Sequence, residues 1–443
     1  MKQRTVVLIL LMLVMVISVL DKTIFAFAGA QIIDELKLSP TEFGFIGSAF
    51  FFLYSISGVL VGFLANRFPT RWILAGMSVV WMASQLLVAL SSGFAALVAG
   101  RLLLGAGTGP GTAVTQHACF KWFGPKERVL PSALIQVSIM LGAVLGALSL
   151  PLAIQHFGWR TAYFLLALLG LVWLVVWLVF GREGQQTEEE GPGSSLRLPY
   201  SRLLLNRSFI WITLMGFLSY LPTALVYSWV PVYLQKGQGM TPMQSGYTVM
   251  VVTVGVILAN LLLSTLSQRA MKRGASVQRA MVLPPMAFAA VAGVAFCALT
   301  LLHGDRLAIL VLYALGAILV NVLPTFCNTL VAYIAPSAQR GSMLAIHIGG
   351  MTSAGMLAPW IVGQLVELRG GDIAHGFETA LGLFGVLTVV GAILGCRIIA
   401  PSAPASPCRA RTAKRRCPVR SATPDIPRRA RPAGLATSNH PER

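Results

Sequence analysis

The chain has 443 residues, 56% hydrophobic and only 11% charged, with a mean hydropathy of +0.75. That balance excludes an ordinary soluble globular protein and indicates an all-α integral membrane protein. The +19 net charge is concentrated in loops and in the last 44 residues, and the six cysteines show no CxxC or Cys/His spacing, so no metal site or disulfide framework is expected.

Twelve apolar stretches are long enough to cross a bilayer: roughly 5–33, 42–65, 71–90, 93–118, 131–154, 161–181, 208–234, 244–267, 280–301, 306–334, 341–365 and 375–399. Their backbone groups must be satisfied within each segment, and they lack the alternation of a barrel, so they are predicted helices. In the first stretch Asp21 and Lys22 are the only charges. Lys2, Arg4 and "AFA" at 26–28 imitate a signal peptide, but the charged pair interrupts the run, so an uncleaved first helix is expected.

Sixteen basic residues fall in one set of connections and five in the other, which puts both termini on the cytoplasmic side of a plasma (inner) membrane. The polar connection 181–202, with an acidic triplet, separates six spans from six. The expected organisation is therefore an N-terminal six-helix half at 1–181, a central cytoplasmic loop at 182–207, a C-terminal half at 208–399 and a basic tail at 400–443. "GFLANRFPTR" from Gly62 and "STLSQRAMKR" from Ser264 echo one another, as a parallel 6+6 repeat would. The tail carries ten basic residues against two acidic ones. It reads as a disordered segment touching anionic lipid, or as the Arg/Pro/Ala/Ser mixture that GC-rich DNA encodes out of frame; nothing in it resembles a nucleic-acid-binding module.

A charge at mid-membrane is costly and is by default functional. Asp21 is the only acidic residue well inside a span, which makes it the candidate proton carrier; the structural alternative is a pair with Lys22 or a bond to a neighbouring helix. Lys22 and Arg101 are the intramembrane cations. Arg101 opens "RLLLGAGTGPG", where Gly105 and Gly109 offer a close-packing face and Thr108 shares a face with Arg101; near its span's start, Arg101 could equally snorkel. His117 and His347 are the membrane-embedded histidines, either polar contacts or proton relays. Tyr54, Tyr220, Tyr227, Trp229, Asn260 and Asn328 lie on spans whose counterparts line the cavity of a two-fold bundle, with an interfacial belt the other reading for Trp229. No phosphate-binding loop, Ser/His/Asp set or carboxylate pair appears. Neither an enzyme nor a cofactor is expected, and pumping has to draw on an ion gradient.

"GFLANRFPTR" resembles the loop signature G-x-x-x-D-R-x-G-R-R of the major facilitator superfamily at Gly62, Arg67 and Arg71, and "RLLLGAGTG" resembles its fourth-helix motif opening with Arg101. The resemblance extends over about residues 5–399 and implies twelve transmembrane helices in two six-helix halves, with Gly62, Asn66, Arg67, Arg71 and Arg101 as the conformational motif. Asn66 stands where the family has an acid, and Pro69 and Thr70 also depart, which implies a weaker charge latch. Within the superfamily, "LDKTIFAFAGAQIIDEL", "GSAFFFLYSISGVLVG", "KWFGPKER", "GWRTAYF" and "SWVPVYLQKGQG" resemble the anion:cation symporters, with Lys22 in place of an arginine.

That resemblance implies proton-coupled uptake of organic carboxylates by a monomeric carrier working by alternating access. Lys22 with Tyr54, Thr108, Tyr220, Tyr227, Trp229, Asn260, Asn328 and His347 would bind substrate, and Asp21 with His117 would handle protons. Many sugar-acid members carry a glutamate at the position of Thr108, so an aromatic acid such as phthalate is expected ahead of a sugar acid. The competing readings are a proton-driven exporter of drugs or metabolites, for which Lys22 has little use, and a non-transporting sensor, for which no signalling domain is visible.

Overall fold

In a computed structural model the described residues are 3–64, 68–123, 127–184, 199–301, 305–336 and 339–399. The expected tail and most of the central loop, 185–198, lie outside them. The first half comprises α1 (Gln3–Leu36), α2 (Pro40–Leu64), α3 (Thr70–Ala89), α4 (Phe94–Thr108), α5 (Gly111–Phe120) and α6 (Val129–Phe180). The second comprises α7 (Tyr200–Leu204), α8 (Arg207–Ala224), α9 (Val230–Val232), α10 (Pro242–Lys272), α11 (Leu283–Leu299), α12 (Arg306–Val320), α13 (Leu323–Ile334), α14 (Arg340–Thr352), α15 (Ala354–Leu368) and α16 (Ile373–Ile398).

Ten described helices or helix pairs are long and apolar enough to span a membrane by length and composition. Two local effects reconcile them with twelve crossings. The fifth and sixth stretches are continuous as α6, whose 52 residues turn back at Gly158, a residue with φ 78° that only glycine adopts readily. The fourth is shared by α4 and α5, which part at Gly109–Pro110 because proline offers no backbone donor. The seventh also breaks: after Pro222 the chain tightens at 225–227, leaves helical geometry at Ser228 and resumes as α9 and a π-turn at 233–237.

In the first half α1 lies along α6, and α4 packs between α2 and α3; in the second, α11 packs on α12 and α16 while α8 meets α13, α14 and α16. The small residues of α4 act as the sequence suggests. A methyl group at Gly105 would stand 2.1 Å from the Phe50 carbonyl oxygen, and one at Gly109 would stand 2.3 Å from that of Tyr54. The backbones of α2 and α4 therefore touch.

The halves join chiefly at the end that holds the 36–40 connection. There the Trp229 indole donates to Pro359 O (2.9 Å), the Trp360 N–H to Ser48 Oγ (3.1 Å) and Gln364 to Thr41 (3.2 Å), while Lys236 pairs with Asp34. Contact reaches mid-bundle at Ser55 and Thr352, whose hydroxyls are 2.9 Å apart. The opposite end holds most of the basic loop residues and is called the basic end below.

Candidate functional site

Successive residues point about 100° apart on a helix, and Asp21 and Lys22 accordingly diverge. Asp21, 2% exposed, turns to α3, where Gln85 Nε2 donates to its Oδ1 at 2.6 Å. Lys22 is half-buried and turns to the seam between the halves, with Nζ 5.1 Å from the Tyr54 ring centroid. Phe51, one turn from Tyr54, carries the aromatic surface across the seam: its centroid is 6.0 Å from Tyr220 and 6.2 Å from Tyr227. Among the described residues no carboxylate is within ion-pair distance of Lys22. The result is an ammonium group over the Tyr54 ring, at the edge of a cluster of rings gathered round Phe51.

Arg101 does not snorkel. It is 1% exposed, and its guanidinium lies between Phe25 and Phe50, 4.5 and 4.6 Å from their centroids. None of its three nitrogens has a hydrogen-bond partner, and the Tyr163 hydroxyl is also unpartnered. Two rings offset part of the desolvation cost of a buried cation, but five N–H donors remain unused, an arrangement that calls for an incoming oxygen acceptor.

The other sequence candidates are dispersed. Thr108 is buried and donates to its own helix at Leu104 O (2.8 Å). Trp229 is fully buried, edge-on to Phe43 at 4.9 Å, and joins the halves rather than forming an interfacial belt. Asn260 donates to Val256 O (3.0 Å) and Asn321 O (3.3 Å), leaving its Oδ1 unpartnered, as is Oδ1 of Asn328. His347 is fully buried between α14 and α8; its Nδ1 is 3.0 Å from Thr213 Oγ1 and its Nε2 has no partner. His117 is half-buried on α5.

Of the conformational motif, Gly62 falls in the last turns of α2, while Asn66 and Arg67 lie outside the described residues. Arg71 opens α3, donating from its guanidinium to Leu178 O (2.6 Å) and from its backbone N–H to Glu183 Oε2 (2.9 Å). Glu183 also accepts from Thr70 N–H (3.1 Å), Thr70 Oγ1 (2.9 Å) and Lys121 Nζ (2.6 Å). Partial burial pushes this carboxyl's pKa up, but the Lys121 bond and the Arg71 and Thr70 donors outweigh it and hold it below the ordinary value. A carboxylate thus caps α3 and ties it to α6 and to the end of α5.

The profile of the Major Facilitator Superfamily matches residues 11–297, well over half of the chain. The chain belongs to the major facilitator superfamily. Its curated relatives include a hexuronate transporter of Bacillus subtilis (strain 168), 25% identical over 90% of this chain and 96% of that protein. Another is a "Probable L-galactonate transporter" of Escherichia coli (strain K12), 23% identical over 88% of each. Among solved structures, a bacterial homolog of the human lysosomal transporter Spinster, inward-facing and occupied, superposes with a TM-score of 0.76 at 15% identity over 91% of this chain and 100% of that one. A D-xylose-proton symporter does so with 0.72 at 15% identity over 90% and 98%. These two establish the fold alone. The chain is thus a multi-pass secondary transporter with relatives named for organic acids.

Within this superfamily fold, sequence reasoning missed Gln85, Phe51, Tyr163 and Glu183. Gln85 alone had a usable signal: it is the one amide in the apolar run "WMASQLLVAL", as isolated there as Asp21 is in its own run.

Proposed function

We propose that this protein imports an organic carboxylate together with protons by alternating access. The observation that carries the reading is Lys22: an ammonium over the Tyr54 ring at the seam of the two halves, beside the rings gathered round Phe51, with no carboxylate among the described residues within ion-pair distance. Arg101, unpartnered behind Phe50, supplies a second positive charge on the first half. Asp21, bonded to a neutral amide and not to Lys22, is placed to exchange a proton without breaking an ion pair. Closure at the 36–40 end and the basic-residue asymmetry together support a state open to the cytoplasm, with both termini inside a plasma (inner) membrane. The two halves at 1–181 and 208–399 would rock about this site as a monomer, with no cofactor.

The faces of Tyr54, Phe51, Tyr220 and Tyr227 favour a flat ring, so the geometry supports an aromatic acid such as phthalate. The relatives named for hexuronate and L-galactonate favour a sugar acid, whose ring also stacks on such faces. Competition decides between them. Uptake of labelled phthalate and labelled D-glucuronate into proteoliposomes is measured against excess benzoate, phthalate, D-gluconate and D-galacturonate. Inhibition by the aromatic acids alone selects the first reading, inhibition by the sugar acids alone selects the second, and indifference to all four removes carboxylates from the reading.

A further inference from the structure

A cavity of about 350 Å³ lies between α10 and α13, lined by Ser264, Thr265 and Gln268 on one side and Thr325 and Thr329 on the other, with Met281 and Phe326 among its apolar walls. Asn260, Ser264, Gln268 and Lys272 recur at four-residue spacing along α10, and Asn321, Thr325 and Thr329 do so along the facing segment. At about 5.4 Å per turn each series forms one polar ridge. The ridges meet where Asn260 donates to Asn321 O, and Thr223 donates to Asn321 Oδ1 at 3.1 Å, tying them to the cavity-lining helix α8. The other end of the α10 ridge carries Arg269 and Lys272 in its last turn.

The side chains of Thr265 and Thr329 donate to their own helices, at Leu262 O and Thr325 O. Ser264 is half-buried and Gln268 and Thr325 are exposed, and their side chains make no hydrogen bond within the described protein. These three groups are open to whatever fills the cavity, and with Arg269 and Lys272 in the last turn of the same helix they favour an oxygen-rich anion over hydrocarbon.

We propose that this pocket is a second, weaker carboxylate site, a waypoint between the Lys22 site and the basic end, in which Ser264, Gln268 and Thr325 donate to the carboxylate and Lys272 with Arg269 sets the attractive field. It rests on the carboxylate-carrier reading above. A phosphatidylglycerol headgroup offers similar oxygens, so the test separates the two sources.

Equilibrium dialysis of the purified full-length protein with labelled D-glucuronate and with labelled phthalate counts sites, and uptake into proteoliposomes tests the carrier reading separately. Lys22→Ala is expected to keep one weak site per chain, and adding Gln268→Leu and Thr325→Val to weaken that site about tenfold or more, since each change removes a bond to a charged acceptor. Unchanged thermal unfolding of the variants shows that they are folded. Wild-type protein that transports either acid while folded Lys22→Ala binds neither overturns the pocket and leaves the carrier intact, as does residual binding that ignores the double change. Phosphatidylglycerol that stays bound through delipidation and is lost with the double change, while acid binding persists, assigns the pocket to lipid and also overturns it. A wild type that takes up neither acid removes the carrier reading itself.

Discussion

Lys22 and Asp21 show how a single step along a helix separates two side chains. Lys22 meets the Tyr54 ring and, among the described residues, no carboxylate; because it is the proposed substrate contact, Lys22→Ala should lower kcat/KM for uptake by about 10- to 100-fold, the worth of a charge-assisted bond. Lys22→Arg should retain part of the activity, because the charge remains while reach and donor geometry change. Unchanged uptake by Lys22→Ala would place the site elsewhere. Asp21→Asn, read by exchange and by net accumulation, should exchange substrate yet fail to concentrate it, since the amide still pairs with Gln85 but carries no proton across. Both charges were legible from sequence because an ionised group in a long apolar run is rare. Phe51 was not, since a phenylalanine in a span is by default core or lipid surface. The depth of Arg101 was not either: it depends on α1 and α2 closing over α4 with Phe25 and Phe50, which no feature of the α4 sequence specifies.

At the scale of elements, the latch at the start of α3 differs from the one implied by the family signature. Where the signature has an acid this chain has Asn66, and a different acid, Glu183 just beyond α6, accepts from Thr70, Arg71 and Lys121. The sequence shows Glu183 among several acids of one polar loop, and only the return of α6 to the start of α3 singles it out. Its pKa is lowered in the fold, so its stabilisation is complete above the ordinary glutamate value of about 4.3 and is lost as pH falls through the lowered value. Thermal unfolding followed against pH should show this loss below about pH 4.3 in wild type, with Glu183→Gln less stable at neutral pH and flatter in that window. Identical profiles for the two would deny the latch. The breaks at Gly158 and Gly109–Pro110 were legible only in part: glycine and proline mark them, but whether each gives a corner, a kink or a loop is set by packing on α1, α2 and α3.

For the whole molecule, the apolar helices of this fold were readable from apolar run length, which follows from the bilayer acting as solvent. The state of the molecule was not, because closure at one end depends on contacts between residues some 300 positions apart, such as Ser48 with Trp360. Gly44 is among the tight approaches there: a methyl group on it would lie 2.4 Å from Pro359 O. Gly44→Leu should therefore oppose closure of the 36–40 end by about 1–3 kcal/mol and cut accumulation, while thiols placed near Pro359 become more reactive. Unaltered accumulation and reactivity would mean that this seam does not limit the cycle.

The central claim is that a proton gradient drives an organic carboxylate through the Lys22 site. It is tested most directly by imposing an acidic exterior on proteoliposomes of the full-length chain and following labelled D-glucuronate and labelled phthalate. At least one acid should rise above its equilibrium level, fall back when a protonophore is added, and enter about 10- to 100-fold more slowly with Lys22→Ala. Entry of both acids no faster than into protein-free vesicles, or accumulation indifferent to the protonophore, would contradict it.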